Sequence, residues 1–319
     1  MTKISNNKES NLKKSETFPT GKAHVSYSEL YDWIECSFRH KLKHIEKLDL
    51  DGPTIHTEFG QVIHDAMEDY LNQPSDSRKP IDPNPYQAEF MKRYEALPRD
   101  VETVSKQKQL DDMAVEFHNS FPSLLEDAPK WLDEQFPGWV TVATEDLLYE
   151  PIPNQDEISF KGFVDAFIKV PKRRKKRKAS RTKKLRLDVL TEEEETAEYE
   201  IVPNQWDYYV LDWKSSSWGW PADRKRDFNK QLQIMLYKIF YCQKMGLELK
   251  DIKCGFVLLK RKPSKGTHCE LVPVSVGPKS FDKALLTLNL MVNQVKQGRA
   301  VKNRMSCRFC KFANTEHCM

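Results

Sequence analysis

The sequence predicts an α/β fold in which a central mixed β-sheet is flanked by helices and preceded by a helical N-terminal part. Four segments alternate apolar and polar residues with period two, and amphipathic segments with helical spacing occur before, between and after them. With 319 residues and a hydrophobic fraction of 39%, the chain is long enough to bury a sizeable core.

The chain begins with a polar segment and continues as helices. Residues 1–24 are rich in Lys, Ser, Asn and Glu without apolar periodicity, so a disordered arm is predicted there. The segment SYSELYDWIECSFRHKLKHI carries apolar residues at helical spacing and is predicted as one helix that includes Cys36. TEFGQVIHDAMEDYL predicts a second helix, and further helices are expected over roughly 84–136.

The second half of the chain carries the sheet. The predicted strands are VTVATEDLLYEPI, ISFKGFVDAFIKV, YYVLDWK and IKCGFVLLKRK. Residues 171–206 pass from dense basic to dense acidic character, which predicts a charged insertion, either a loop or an extended hairpin. Helices are predicted at FNKQLQIMLYKIFYCQKMG and at FDKALLTLNLMVNQVKQG. We expect a single domain over 25–319 that ends in a cysteine-rich tail at 305–319.

Composition excludes some classes of protein. The formal net charge of +4 is too small to identify a partner. The sequence contains no run of about 18 apolar residues, so a membrane span is not predicted. The polar N-terminal segment is unlike a secretory signal, so a cytoplasmic protein is expected, in a bacterium or in an infected host if a phage encodes it. Seven cysteines in that compartment favour free thiols or metal ligands over disulfides.

Two acidic residues on successive predicted strands draw attention to metal chemistry. Asp212 and Lys214 share one face of their strand, although an isolated D-x-K pattern is more often an incidental ion pair. Asp165 lies in the middle of an apolar strand, where an unpaired carboxylate would be costly. Two such carboxylates offer the oxygen ligands that Mg²⁺ or Mn²⁺ prefers, and a neighbouring lysine could orient a water.

The order of short motifs along the chain resembles a known family. The motifs are G-x-x-x-H-x-x-x-E in GQVIHDAME, G-x-x-D in KGFVDA, D-x-K in LDWKSS, and QLQIMLY on the next helix. Together they resemble the RecB-type branch of the PD-(D/E)XK nucleases, which includes nuclease domains of bacterial recombination enzymes and CRISPR-adaptation exonucleases. The resemblance runs from about Ser26 to Cys318 and implies a restriction-endonuclease-like core.

The resemblance also implies roles for particular residues. Those implied to bind Mg²⁺ or Mn²⁺ are Asp165, Asp212, the backbone carbonyl of Trp213, and His64. Lys214 would orient or deprotonate the attacking water. Gln231 and Tyr237 match the family's Q-x-x-x-x-x-Y helix beside the active site, with Gln231 counted as catalytic and Tyr237 as a DNA contact. Without the motif, these two residues would be interpreted as helix surface and core, and His64 as a packed histidine.

Four cysteines form a second candidate site. Many family members hold an iron-sulfur cluster with one cysteine from the first helix and three from the C-terminus. The matching residues here are Cys36, Cys307, Cys310 and Cys318. The final gap is longer than usual, and Ser37 stands where a proline often follows the first cysteine. A [4Fe-4S] cluster is favoured, with tetrahedral Zn²⁺ as the alternative.

The basic part of the charged insertion could contact DNA. Its first residues are Arg173, Arg174, Lys175 and Lys176, and its place between the two metal-binding strands favours a phosphate contact over a merely solvated loop.

The preferred hypothesis is a metal-dependent DNA nuclease that acts on single-stranded or end-containing DNA in recombination, repair or phage DNA metabolism. An exonuclease is favoured over an endonuclease. The absence of a Walker-type loop means that a helicase or recombination protein would have to supply any unwinding. The alternatives are a catalytically silent nucleic-acid-binding scaffold and a zinc-stabilised structural protein, and the latter leaves the acidic pair unexplained.

Overall fold

A computed structural model of the protein describes residues 18–48, 50–98, 104–155, 157–175, 199–264 and 266–319. The chain folds into two compact units. The terminal unit consists of Met1–Leu50, Pro151–Phe160 and Thr287–Met319, and the sheet unit consists of Asp51–Glu150 and Lys161–Leu286.

The terminal unit is built from short elements. They are β1 (His24–Ser26), α1 (Tyr27–Glu35), α2 (Ser37–His40), a π-helical turn (Lys41–Ile45) and a 3₁₀ turn (Arg304–Phe309). Of the predicted arm, residues 1–17 lie outside the described residues. Phe18 and Thr20 are buried, and the Ser159 N–H donates to the Ala23 carbonyl, so packing begins before residue 25.

The single helix predicted over 26–45 is interrupted at Cys36. Cys36 is extended, with φ −165° and ψ 109°, and the helix resumes at Ser37. The break lets this segment bond to the backbone of Val301: the Val301 N–H donates to Ser37 Oγ at 2.8 Å, and the Phe38 N–H donates to the Val301 carbonyl at 3.2 Å. Helical spacing of apolar residues does not reveal such a long-range backbone contact.

Helices and strands of the sheet unit follow the predicted order. The helices are α3 (Ile55–Leu71), α4 (Asn84–Glu95), α5 (Val104–Gln135), α6 (Ala222–Arg226) and α7 (Phe228–Met245); α8 (Pro278–Lys296) begins in this unit. The strands are β2 (Val140–Pro151), β3 (Ser159–Lys175), β4 (Tyr199–Ser216), β5 (Ile252–Lys260) and β6 (Cys269–Val274). The short strands β1 and β6 were not predicted.

The sheet is mixed, as predicted. β2 pairs with β3, and β3, β4, β5 and β6 follow one another. The β3/β4 and β5/β6 pairs are antiparallel, while β4 and β5 are parallel because α6 and α7 return the chain to the same end of the sheet. Helices α3, α4 and α5 supply most of the core that covers one side, including the aromatic cluster Phe59, Phe90, Phe117 and Phe121.

The ends of the charged insertion are strand residues. β3 and β4 continue past an irregularity between Pro171 and Arg173 until Lys175 pairs with Tyr199. This supports the extended hairpin over the loop for the described part, whereas 176–198 lie outside the described residues. None of the helices in the described part of the chain combines the length and hydropathy needed to cross a membrane.

Candidate active site

The antiparallel β3/β4 pair brings the two predicted carboxylates together. Ala166 is the cross-strand partner of Leu211, so Asp165 and Asp212 adjoin this pair at the same position along the sheet. The Trp213 N–H donates to Asp165 Oδ2 at 2.8 Å. Both side chains are buried, and Asp212 is fully so.

Lys214 neutralises Asp212. Its Nζ lies 2.5 Å from Asp212 Oδ2, and about a third of its side chain reaches solvent. Burial pushes the pKa of Lys214 down, but the charges of Asp212 and Asp165 outweigh it and leave the pKa above its ordinary value. Lys214 is therefore an ammonium at neutral pH.

The negative charge of Asp165 is less well balanced by neighbouring positive charge than that of Asp212. Burial, and then repulsion from Asp212, raise the pKa of Asp165 well above its ordinary value, although Lys214 and the Trp213 N–H act in the opposite direction. A further cation beside Asp165 would offset both of these effects.

His64, on α3, lies beside the Trp213 carbonyl and Asp165. Its Nε2 lies 3.0 Å from the Trp213 carbonyl, which can only accept, so Nε2 carries the proton. Burial, followed by the charge of Lys214, lowers the pKa of His64, which keeps the ring neutral. Nδ1 then directs a lone pair toward Asp165 Oδ2 at 3.4 Å, and two acceptors at that distance require a proton or a cation between them.

Glu145 is a site residue that sequence reasoning missed. It lies on β2 with a positive φ of 43°, a conformation that is costly for a residue with a Cβ atom, and it is half-buried. Burial and repulsion from Glu68 raise the pKa of Glu145. The only sequence signal was the adjacent acids in ATEDLL, of which Asp146 accepts hydrogen bonds from Tyr241 and Lys244.

Three of these residues have the spacing of a metal site. His64, Glu145 and Asp165 each offer a ligand atom, and these atoms lie within 4.8 Å of one another. They are the one such group within the described residues. Asp212, predicted as a ligand, is not part of this group; Lys214 Nζ and Gln233 Nε2 lie beside its two oxygens. The donor set of one imidazole and two carboxylates suits Mn²⁺ or Mg²⁺.

Helix α7 contributes a glutamine, but not the predicted one. Gln233 Nε2 donates to Asp212 Oδ1 at 2.9 Å and contacts the Tyr237 hydroxyl at 3.2 Å. Gln231 instead donates to the Lys225 carbonyl at 2.6 Å. Residues two apart lie on different faces of a helix, so Gln231 and Gln233 cannot both face the carboxylates.

Tyr237 explains the glycine of the G-x-x-D motif. Tyr237 is buried, and a Cβ atom added to Gly162 would lie 2.7 Å from its ring. Burial, followed by the charge of Asp212, raises the pKa of Tyr237. Its hydroxyl is thus a neutral group beside Gln233 rather than an exposed DNA contact.

The basic residues predicted to contact DNA are placed only in part. Arg174 forms an ion pair with Glu200 across the hairpin at 2.7 Å, and Arg173 lies within 3.5 Å of the Pro137 carbonyl. Lys175 ends β3, and Lys176 lies outside the described residues.

In the terminal unit, all four predicted cluster cysteines line one pocket: Cys36, Cys307, Cys310 and Cys318. The Asn303 N–H points at Cys36 Sγ at 3.3 Å, and the Cys310 N–H donates to the Cys307 carbonyl. Cys242, Cys254 and Cys269 are buried elsewhere.

Part of the chain matches the model of a known protein family. Residues 24–179 match the family model of the PD-(D/E)XK nuclease superfamily. This match supports a PD-(D/E)XK nuclease superfamily domain. It spans just under half of the 319 residues and includes His64, Glu145 and Asp165, but not Asp212 or Lys214. A match to a nuclease superfamily supports hydrolytic nuclease activity.

Comparisons with curated proteins and with solved structures give less information about function. No curated protein matches the chain. A solved structure of a candidate exonuclease from Eubacterium rectale is similar over 98% of this chain and 92% of that chain, with 12% sequence identity and a TM-score of 0.46. A similarity at that TM-score carries no argument about activity.

Proposed function

We propose that the protein is a metal-dependent nuclease that hydrolyses phosphodiester bonds in DNA. The observation that carries the proposal is the convergence of His64, Glu145 and Asp165 on one point beside the Asp212–Lys214 pair. These residues come from α3, β2, β3 and β4. A structural ion pair would not need an unpaired buried carboxylate next to a neutral histidine.

The metal fits the electrostatics of the site. Asp165 Oδ2 and the lone pair of His64 Nδ1 face each other at 3.4 Å, so a divalent cation between them would supply the missing positive charge. When bound, Mg²⁺ or Mn²⁺ would neutralise phosphate charge and lower the pKa of a bound water. His64, Glu145 and Asp165 would hold the ion, with the Trp213 carbonyl available if His64 releases it.

Lys214 acts as a hydrogen-bond donor that orients a water or a phosphate oxygen. Because its pKa is raised, it keeps its proton at neutral pH and can donate a hydrogen bond to a water or to a phosphate oxygen. Asp212 fixes the ammonium in place, and Gln233 fixes Asp212. This role differs from that of a base that deprotonates the water.

An aromatic residue beside the site favours a single-stranded substrate. Phe163 lies two residues before Asp165 on β3, so the two side chains share one face of the strand. Phe163 is 45% exposed, although its neighbours Gly162 and Val164 are buried. Lys161 Nζ lies 5.8 Å from its ring centre. An exposed ring can stack on an unpaired base while a lysine contacts the backbone. The preference for DNA ends rests on the resemblance alone.

We also propose a [4Fe-4S] cluster in the terminal unit, ligated by the four cysteines that line one pocket. A single tetrahedral zinc is the second candidate. The preference for the cluster over zinc rests on the family resemblance. Anaerobic protein should be brown and contain iron, and Cys310→Ser should be colourless. Colourless wild-type protein with one zinc would replace this proposal with zinc.

The test of function is a time course of anaerobically purified protein on end-labelled linear and on circular single-stranded DNA, with Mg²⁺, Mn²⁺ or EDTA. Cleavage of linear DNA alone, lost in EDTA, is expected and would support an exonuclease. Cleavage of circles would make the protein an endonuclease. Folded protein that binds DNA but cuts nothing with either metal would support the silent scaffold instead.

A further inference from the structure

A second cavity lies in the sheet unit at the end of the sheet where β5 begins and β6 ends. Its volume is about 880 Å³, within the range of small-molecule sites. Its lining residues include Leu211, Lys238, Ile252, Cys254, Val274 and Phe281. None of the proposed metal ligands and neither Asp212 nor Lys214 lines it, so it is distinct from the carboxylate site.

Lys238 is the unusual residue of this cavity. Its side chain lines the cavity, and the residue is only 6% exposed. It stands in the middle of the buried run of α7 from Ile234 to Cys242, where packing alone would favour an apolar side chain. Its Nζ is not among the fully enclosed polar atoms of the described residues, so the ammonium lies at the cavity surface, where an anion in the cavity could pair with it.

Within the part of the chain that the structure describes, the Lys238 side chain has no hydrogen-bond or ion-pair partner. The other two lysines of the cavity are paired: Lys250 with Glu248 at 2.6 Å and Lys253 with Asp207 at 3.0 Å. Among the described residues that line the cavity, the only acidic one is Asp282, which is exposed and forms no ion pair with Lys238.

The nearest thiols do not serve as the counter-ion. Burial raises the pKa of Cys254 to about 12 and that of Cys242 to about 11, although the charge of Lys238 acts in the opposite direction. Both remain neutral at physiological pH. The Cys254 thiol also donates to the Val274 carbonyl at 3.3 Å.

We propose that this cavity binds a small organic anion with an apolar body, whose carboxylate, sulfonate or phosphate group pairs with the Lys238 ammonium. Ile252, Val274 and Phe281 would contact the apolar body. A single unpaired ammonium matches one anionic group. The proposal is independent of nuclease activity because it uses none of the residues of the carboxylate site.

The test is a fluorescence titration of the full-length protein with two dyes that share their rings. 1-Anilinonaphthalene-8-sulfonate carries the anion, and N-phenyl-1-naphthylamine lacks it. We expect Lys238→Met to weaken sulfonate-dye binding about tenfold or more and to leave the neutral dye within about twofold. The matched control, Lys250→Met, removes a paired lysine from the same cavity and should change neither affinity by more than about twofold.

Two outcomes would overturn the proposal. One is sulfonate-dye binding that is absent in the wild type or unchanged in Lys238→Met. The other is an equal loss of both dyes in Lys238→Met with an unchanged thermal midpoint, which would mean that the charge has no role. If Lys238→Met does not fold, Lys238→Gln keeps a polar side chain at the position and gives the same comparison.

Discussion

Asp165 and Asp212 illustrate how the site trades stability for chemistry at the level of single residues. Their charges repel, and only Asp212 has a cationic partner among the described residues. The strain at Glu145 adds to this cost. Such features are expected where a cation or substrate supplies the missing charge.

Gln233 gives a test at this scale. Gln233→Ala removes the hydrogen bond to Asp212, so kcat should fall about tenfold or more, as for a hydrogen bond to a charged group. Gln231→Ala is the matched control, since the Gln231 side chain donates to the Lys225 carbonyl and not to Asp212, and its kcat should stay near the wild-type value. Steady-state rates on single-stranded DNA would decide. A larger loss in Gln231→Ala would restore the role that the sequence predicted.

The two glycines of the motifs provide a second contrast. In Gly162→Ala the new Cβ meets the Tyr237 ring at 2.7 Å, so the free energy of unfolding should fall by about 1–3 kcal/mol. Gly60 lies within α3 and its Cβ would meet only Ser215 Oγ, at 3.7 Å. Gly60→Ala should therefore gain about 0.5–1 kcal/mol. Urea unfolding measures both, and equal stability of the two variants would contradict the packing described.

At the scale of elements, the β3/β4 hairpin offers a direct deletion. Lys175 pairs with Tyr199, so Asn-Gly can replace residues 176–198 as a two-residue turn. Thermal stability should change little. If the basic part of the insertion contacts phosphates, the deletion should lower DNA affinity measured in EDTA. The slope of log affinity against log salt concentration should become shallower by roughly one unit per lost phosphate contact. An unchanged salt dependence would mean that the run is only a solvated segment.

The sequence predicted most helices and strands, but not every side-chain position and backbone irregularity within them. Apart from β1 and β6, the order of strands and helices followed from periodicity. The expectation that His64, Asp165, Asp212 and Lys214 lie together came from the family resemblance that the motif order carries. The sequence QLQIMLY offers two glutamines before Tyr237, and motif matching alone does not separate them. The choice between Gln231 and Gln233 depended on which face of α7 meets the sheet. Glu145 depended on an irregular backbone conformation, and the break at Cys36 on hydrogen bonds to a residue far along the chain.

Across the whole molecule, the seven cysteines fall into two classes. Burial raises the pKa of Cys254 and Cys269 to about 12 and that of Cys242 to about 11. Because a raised pKa keeps a thiol protonated, these three should resist iodoacetamide at pH 8, where only about one in a thousand or fewer is a thiolate.

The four cysteines of the terminal unit are half-buried and should react once chelator has removed any metal. Peptide mass spectrometry would locate the alkylated thiols, and protein unfolded in urea, in which all seven should react, is the control. Rapid alkylation of Cys254 in folded protein would contradict the burial described.

The central claim is that the carboxylate site cleaves DNA with a divalent ion, and Asp212→Asn tests it most directly. Single-turnover cleavage of a labelled single-stranded oligonucleotide with Mn²⁺ would be measured beside the thermal midpoint. Loss of the charge that holds Lys214 should lower the rate by about a thousandfold. The midpoint should stay near the wild-type value, because Asp165 also faces the Lys214 ammonium and can supply its counter-charge. Wild-type cleavage rates in Asp212→Asn would contradict the account.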